Sequence, residues 1–144
     1  MAGNVYTNPV FGVEIQAPAT GALFAGDAAS GYDVAFTDST ADVSSFGFAA
    51  VDLTEGYVAD ENEYLQKQLA YEKETGIDIA EIRQIELGGR QVGAVVSKTD
   101  SDSLAPSCTV VAIKVVGGVP FGVVATSSNE ADAMAMLSTF VTRF

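Results

Sequence analysis

The stretch "CTVVAIKVVGGVPFGVVATS", residues 108–127, limits what this chain can fold into more than any other. Its first arm is apolar at both parities. Val111, Ile113 and Val115 fall on one side of an extended strand, and Cys108, Val110, Ala112 and Val116 on the other. Successive side chains of a strand point to opposite faces, and a strand that is apolar on both faces is covered on both. Helices are therefore expected on both sides of this sheet. Between the arms, Gly117-Gly118 supplies the positive φ that a tight two-residue hairpin turn requires.

The same device appears upstream, where "IAEIRQIEL" and "RQVGAVVSK" flank Gly88-Gly89. The two Gly-Gly hairpins predict four successive antiparallel strands, joined by a polar loop from Thr99 to Ser107. Residues Asp60 to Thr75, "DENEYLQKQLAYEKET", read as a helix. Asp60 stands at the N-cap with Glu63 three residues on, as in a capping box. Glu63 and Lys67 form an i,i+4 pair, and Gly76 takes the C′ place. Tyr64, Leu65, Leu69 and Tyr71 form its apolar stripe, and its charges form a solvated face. A second helix is expected from Asn129 to Phe144, with Ala133, Leu137, Phe140, Val141 and Phe144 on one core-facing stripe. Met134 and Met136 read as core filler rather than a functional box.

Upstream, Phe11, Val13 and Ile15 alternate as in a half-buried strand, after a turn at Asn8-Pro9. "YDVAFTD" (32–38) and "SSFGFAAVDL" (44–53) read as a hairpin with a longer connection. The Ala- and Gly-rich "APATGALFAGDAASG" between them and the first strand is expected to be a loop with one helical turn. With 144 residues the chain fits one domain, 1–144, able to fold without a disulfide or metal.

The chain has 7 Lys+Arg against 19 Asp+Glu, a net charge of −12. Phosphate backbones and anionic membrane surfaces need clustered cations, so neither is an expected partner. The acidity serves solubility; a cationic partner or a salt-rich habitat is the other reading. There is no His, which removes Ser-His-Asp and Cys-His nucleophiles and the usual zinc sites. Cys108 stands alone, with no sequence neighbour to lower its pKa, and reads as a buried apolar residue. No glycine-rich phosphate loop is present. "TDSDS" places Asp100 and Asp102 two apart, as calcium ligands are, but without the Gly and distal Glu of an EF-hand loop; an ordinary polar turn is expected. "DENE" (Asp60–Glu63) is explained by capping. No catalytic, cofactor-binding or metal residue is assigned. No apolar run spans a membrane. "MAGNVYTNP" lacks the basic and apolar regions of a signal segment, so the expectation is either a cytosolic start or a signal segment upstream of Met1.

The order of "YTNPVFGVEIQAP", a mid-chain helix with "YLQKQL", "IELGGRQVGAVVSK", "VVAIKVVGGVPFGVVATS" and a terminal "MLSTFVTRF" resembles the PsbP-like superfamily. That group includes the photosystem II extrinsic subunit, a Ran-binding nuclear import factor and bacterial lipoproteins of the DcrB type. The matching positions are Tyr6, Phe11, Gly12, Val13 and Pro18. Members carry a tryptophan just after that proline; "APATGALFAG" has none, so nothing built on that tryptophan carries over. The resemblance implies an α+β fold: an α/β/α sandwich with a central antiparallel sheet covered by helices on both faces. Members act mainly as binding or assembly factors; with the lack of catalytic constellations and the acidic surface, the expectation is a non-enzymatic binding or accessory domain of an exported or surface-tethered protein, extracellular or on the cell envelope, that recognises a protein or small ligand through loops or a sheet edge. A monomer is expected. The alternatives are a small-molecule or peptide carrier with a pocket between sheet and helix, an intracellular chaperone or assembly factor in the cytoplasm, and a hydrolase with paired carboxylates.

Overall fold

The computed structural model of the chain describes residues 3–41, 45–52, 56–75, 77, 79–99 and 106–144. In chain order the elements are β1 (Val5–Asn8), β2 (Val13–Gln16), β3 (Gly21–Ala25), β4 (Val34–Asp38), β5 (Phe46–Val51), α1 (Glu61–Glu74), β6 (Ile79–Leu87), β7 (Arg90–Thr99), β8 (Ser107–Val116), β9 (Val119–Ser127), α2 (Glu130–Phe140) and β10 (Val141–Arg143). Seven strands form one antiparallel sheet in the order β3-β4-β5-β9-β8-β7-β6; β1, β2 and β10 form a small second sheet. The architecture is the expected α+β sandwich, with a helix against each face of the central sheet.

Both Gly-Gly turns close two-residue hairpins, with Leu87 opposite Arg90 and Val116 opposite Val119. All four glycines have φ between 59° and 83°, the left-handed region where a Cβ is costly. The doubly apolar strand, β8, sits one place from the sheet centre. Its even positions, Cys108, Val110 and Ala112, join the inner core with Phe36, Val96, Phe121 and Val123. That core is closed by Leu137 and Phe140 of α2 and by Val13 and Ile15 of the small sheet. Phe36 and Phe140 stack at 4.7 Å between ring centroids, and Phe11 and Phe121 at 5.0 Å. The odd positions, Val111 and Ile113, meet Tyr64 and Leu65 of α1 on the outer face.

The capping expectation for α1 holds: Asp60 Oδ1 accepts the Glu63 N–H at 2.9 Å. The Glu63 carboxylate reaches back to the N–H of Ala59, one residue before the cap. The Glu63–Lys67 pair forms at 3.5 Å. Gly76 lies outside the described residues.

Three expectations are corrected. "GALFA" is not loop but strand β3, paired with β4 from Gly21–Asp38 to Ala25–Val34; the open edge of β4 supplies the ladder that its small residues alone do not specify. The second helix stops at Phe140, and Val141–Arg143 pairs with β2 instead. Val141 and Phe144 stay buried, Val141 reaching the core from β10 and Phe144 from just beyond its end. The stripe of α1 is narrower than its sequence suggests: Tyr64 and Leu65 are buried, Leu69 only partly so, and Tyr71 is exposed.

Candidate functional site

One register row crosses the whole outer face: Phe24, Ala35, Phe48, Val124, Val111, Val95 and Ile82 are successive ladder partners. It is apolar from edge to edge. Helix α1 packs on β6, β7 and β8, so it covers the end of the row that holds Val111, Val95 and Ile82. Among the described residues no helix packs on the other end, and side chains there are open: Phe24 is 50% exposed and Phe46, one row away, 47%.

Between α1 and this open half lies a trough of ≈ 700 Å³. Its floor is Phe48, Ala50, Val111 and Val124, with Thr109 and Thr126 along one side. The two threonine hydroxyls hydrogen-bond to each other at 3.1 Å. Tyr32 leans on Phe48, with ring centroids 6.3 Å apart. The wall is one flank of α1, where Tyr64, Gln68 and Glu72 recur every four residues and so lie one above another. Asp52, just past β5, accepts a hydrogen bond from the Tyr64 hydroxyl. Gln68 Nε2 donates to Glu72 Oε1 at 3.0 Å. The trough is thus apolar below and acidic at the helix side. Among the described residues that line it there is no Lys or Arg.

Alternation alone would put the bulky residues of β5 in the core, and the structure does the reverse. In "FGFAA" the large residues Phe46 and Phe48 point outward, while Gly47 and Ala49 point into the inner core. A Cβ on Gly47 would lie 2.1 Å from the Phe36 ring.

A second cavity of ≈ 360 Å³ lies at the other end of α1, near Arg90, Lys114 and Phe144. Lys114 Nζ donates to the Phe144 carbonyl at 3.1 Å, and Arg90 Nη1 to the same oxygen at 3.4 Å. Burial, and next the Arg90 charge, hold the Lys114 ammonium pKa below its ordinary value.

Cys108 is buried, and burial pushes its thiol pKa up. Its sequence neighbours carry no cation, but the sheet brings one alongside: Lys98 is its ladder partner across β7–β8. The fields of Lys98 and Arg83 oppose the shift without overcoming it. Met136 is buried and Met134 packs against the inner core. Asp100 and Asp102 lie outside the described residues. Among the described residues no group of three or more His, Cys, Asp or Glu converges to hold a metal, and no helix is long and apolar enough to cross a membrane.

No protein-family model and no curated protein matches the chain. Solved structures do. The cyanobacterial PsbP (CyanoP) of Synechocystis sp. PCC 6803 aligns over 100% of this chain and 94% of its own, with a TM-score of 0.60 at 12% identity. A Bacteroides thetaiotaomicron protein aligns over 100% of this chain and 49% of its own, with a TM-score of 0.52 at 12% identity; the chain spans about half of that protein. At such identities the likeness is one of fold.

Proposed function

We propose that residues 1–144 form a single PsbP-like domain that acts as a non-enzymatic binding or accessory unit of an exported or surface-tethered protein, with the trough beside α1 as its recognition surface. The observation that carries this reading is the outer-face row that stays apolar after α1 ends, leaving Phe24, Phe46 and Phe48 toward solvent. Exposed apolar patches of this kind mark interaction sites. The strands under the trough, β5, β9 and β8, are interior members of the sheet, so recognition there runs through side chains. The exported setting rests on the family pattern in the sequence.

A carrier of small molecules is the second reading, favoured by the trough's volume and its position between sheet and helix. Carrier pockets bury most of a ligand's surface, and the half-open aromatic rim argues for a macromolecular partner instead.

Two experiments test the proposal. The segment upstream of Met1 in the full-length gene product comes first: a signal segment ending in a lipidated cysteine supports the envelope setting, and a native start at Met1 removes it. The second is affinity isolation from the source cell envelope, followed by calorimetry with the purified partner. Phe46→Asp and Phe48→Asp are expected to weaken binding by about tenfold or more, and Tyr71→Asp, on the exposed side of α1, by less than about twofold. Equal binding by all variants rejects the trough.

A further inference from the structure

We propose that the occupant of the trough is an amphipathic helix of a partner protein, with an apolar face and a basic polar face, lying beside α1 to complete the outer layer. The inference rests on the trough being the recognition surface. Three observations select this occupant.

The first is backbone satisfaction. The floor strands β5, β9 and β8 are interior members of the sheet, and their backbone groups are spent on one another. An extended segment laid on them would find no ladder partner for its own N–H and C=O groups. A helix satisfies its backbone internally.

The second is width. Beyond α1 the outer face offers β9, β5, β4 and β3. At the ordinary strand spacing these four occupy roughly 19 Å. A helix with its side chains needs roughly 10–12 Å, so one more fits beside α1 with the aromatic rim at its far side.

The third is charge. The helix wall presents Glu72, Asp52 closes the trough, and neither Lys nor Arg is among its described lining residues. The Tyr64 hydroxyl and the Gln68 amide hold these two carboxylates in place. A docking helix would set its polar flank against them, and Lys or Arg there is complementary where Glu or Asp is repelled.

The test uses a synthetic helical peptide of about 18 residues, with Leu and Ala on one face and Lys and Arg on the other, followed by amide NMR shifts. Two companions accompany it: one with Glu in place of the cations, and one of equal composition with a central proline. Saturable shifts are expected at Phe48, Ala50, Val124 and Thr126 and along Gln68–Glu72. The Glu and proline companions should bind at least about tenfold more weakly. Glu72→Lys should weaken binding about fivefold or more. Glu86→Lys makes the same charge change on exposed β6 and should cost less than about twofold. Equal effects of the two reversals, shifts spread over the acidic surface, or no difference between the helical and proline peptides overturn the inference. If no peptide binds while Phe48→Asp still abolishes binding of the native partner, the helix inference falls and the trough stands. If Phe48→Asp also leaves that binding intact, both fall.

Discussion

A Cβ built on Gly93 of β7 lies 2.5 Å from Cδ1 of Leu65 in α1. The helix therefore seats over a point where the strand has no side chain. That seat holds α1 over β6–β8 and leaves the outer half of the sheet to the trough. Gly93→Val is expected to destabilise the protein by about 1–3 kcal/mol through overpacking, measured by urea unfolding. Because the two side chains contend for one space, Gly93→Val and Leu65→Ala should combine non-additively, the double variant being more stable than the sum of the singles predicts. Simple additivity would mean that the helix does not rest on this contact.

Phe36 and Phe46 are both strand phenylalanines, with opposite expected costs. Phe36 is fully buried against Phe140, so Phe36→Ala should cost about 3–5 kcal/mol. Phe46 is 47% exposed, so Phe46→Ser should stay within about 1 kcal/mol of the parent. Paired denaturation curves decide it; a large loss from Phe46→Ser would place that ring in a packed interface rather than on an open rim.

Glu130, the first residue of α2, takes Lys98 of β7 at 2.7 Å on one oxygen and Arg83 of β6 on the other. It also sits in the helix's first turn, where a negative charge is favoured. All three side chains are partly exposed, and solvent screening limits the worth of the cluster. Glu130→Gln is expected to cost about 1 kcal/mol at low salt, shrinking as salt rises. A cost that is indifferent to salt would point to packing instead.

Cys108 predicts a pH effect with a definite sign. Its folded pKa lies above the ordinary thiol value because of burial, so the unfolded chain releases the proton first. The stability this group contributes is fully present below about pH 8.5 and is lost as pH rises through the folded value. Cys108→Ala should flatten that alkaline decline. In native protein the thiol should react with a disulfide reagent only at the rate of unfolding or local opening; fast labelling would show an accessible thiolate.

Asp38 acts in the opposite direction. The Thr40 N–H donates to its Oδ1 at 2.9 Å and the Thr40 hydroxyl at 2.8 Å, and the backbone bond is the chief cause that holds its pKa below the ordinary carboxylate value. Its contribution is present above about pH 4 and is lost as pH falls through the folded value. Asp38→Asn should therefore differ from the parent at neutral pH and converge with it in acid. A difference that persists unchanged in strong acid would remove the ionised carboxylate as its source.

By itself, the sequence determined the parts whose signals are local. The positive φ that two-residue turns need marks Gly88-Gly89 and Gly117-Gly118, and the two-sided apolarity of Cys108–Val116 requires cover on both faces. The cap at Asp60 follows from one side chain reaching one amide. Only tertiary structure decided what depends on distant partners. "GALFA" is a strand because β4 lies beside it. Val141–Arg143 leaves the helix because β2 offers a ladder. The trough exists because Leu65 finds its seat at Gly93, a strand away from any sequence neighbour. Periodicity states which faces of an element are apolar; which of those faces another element then covers is set by where the elements dock.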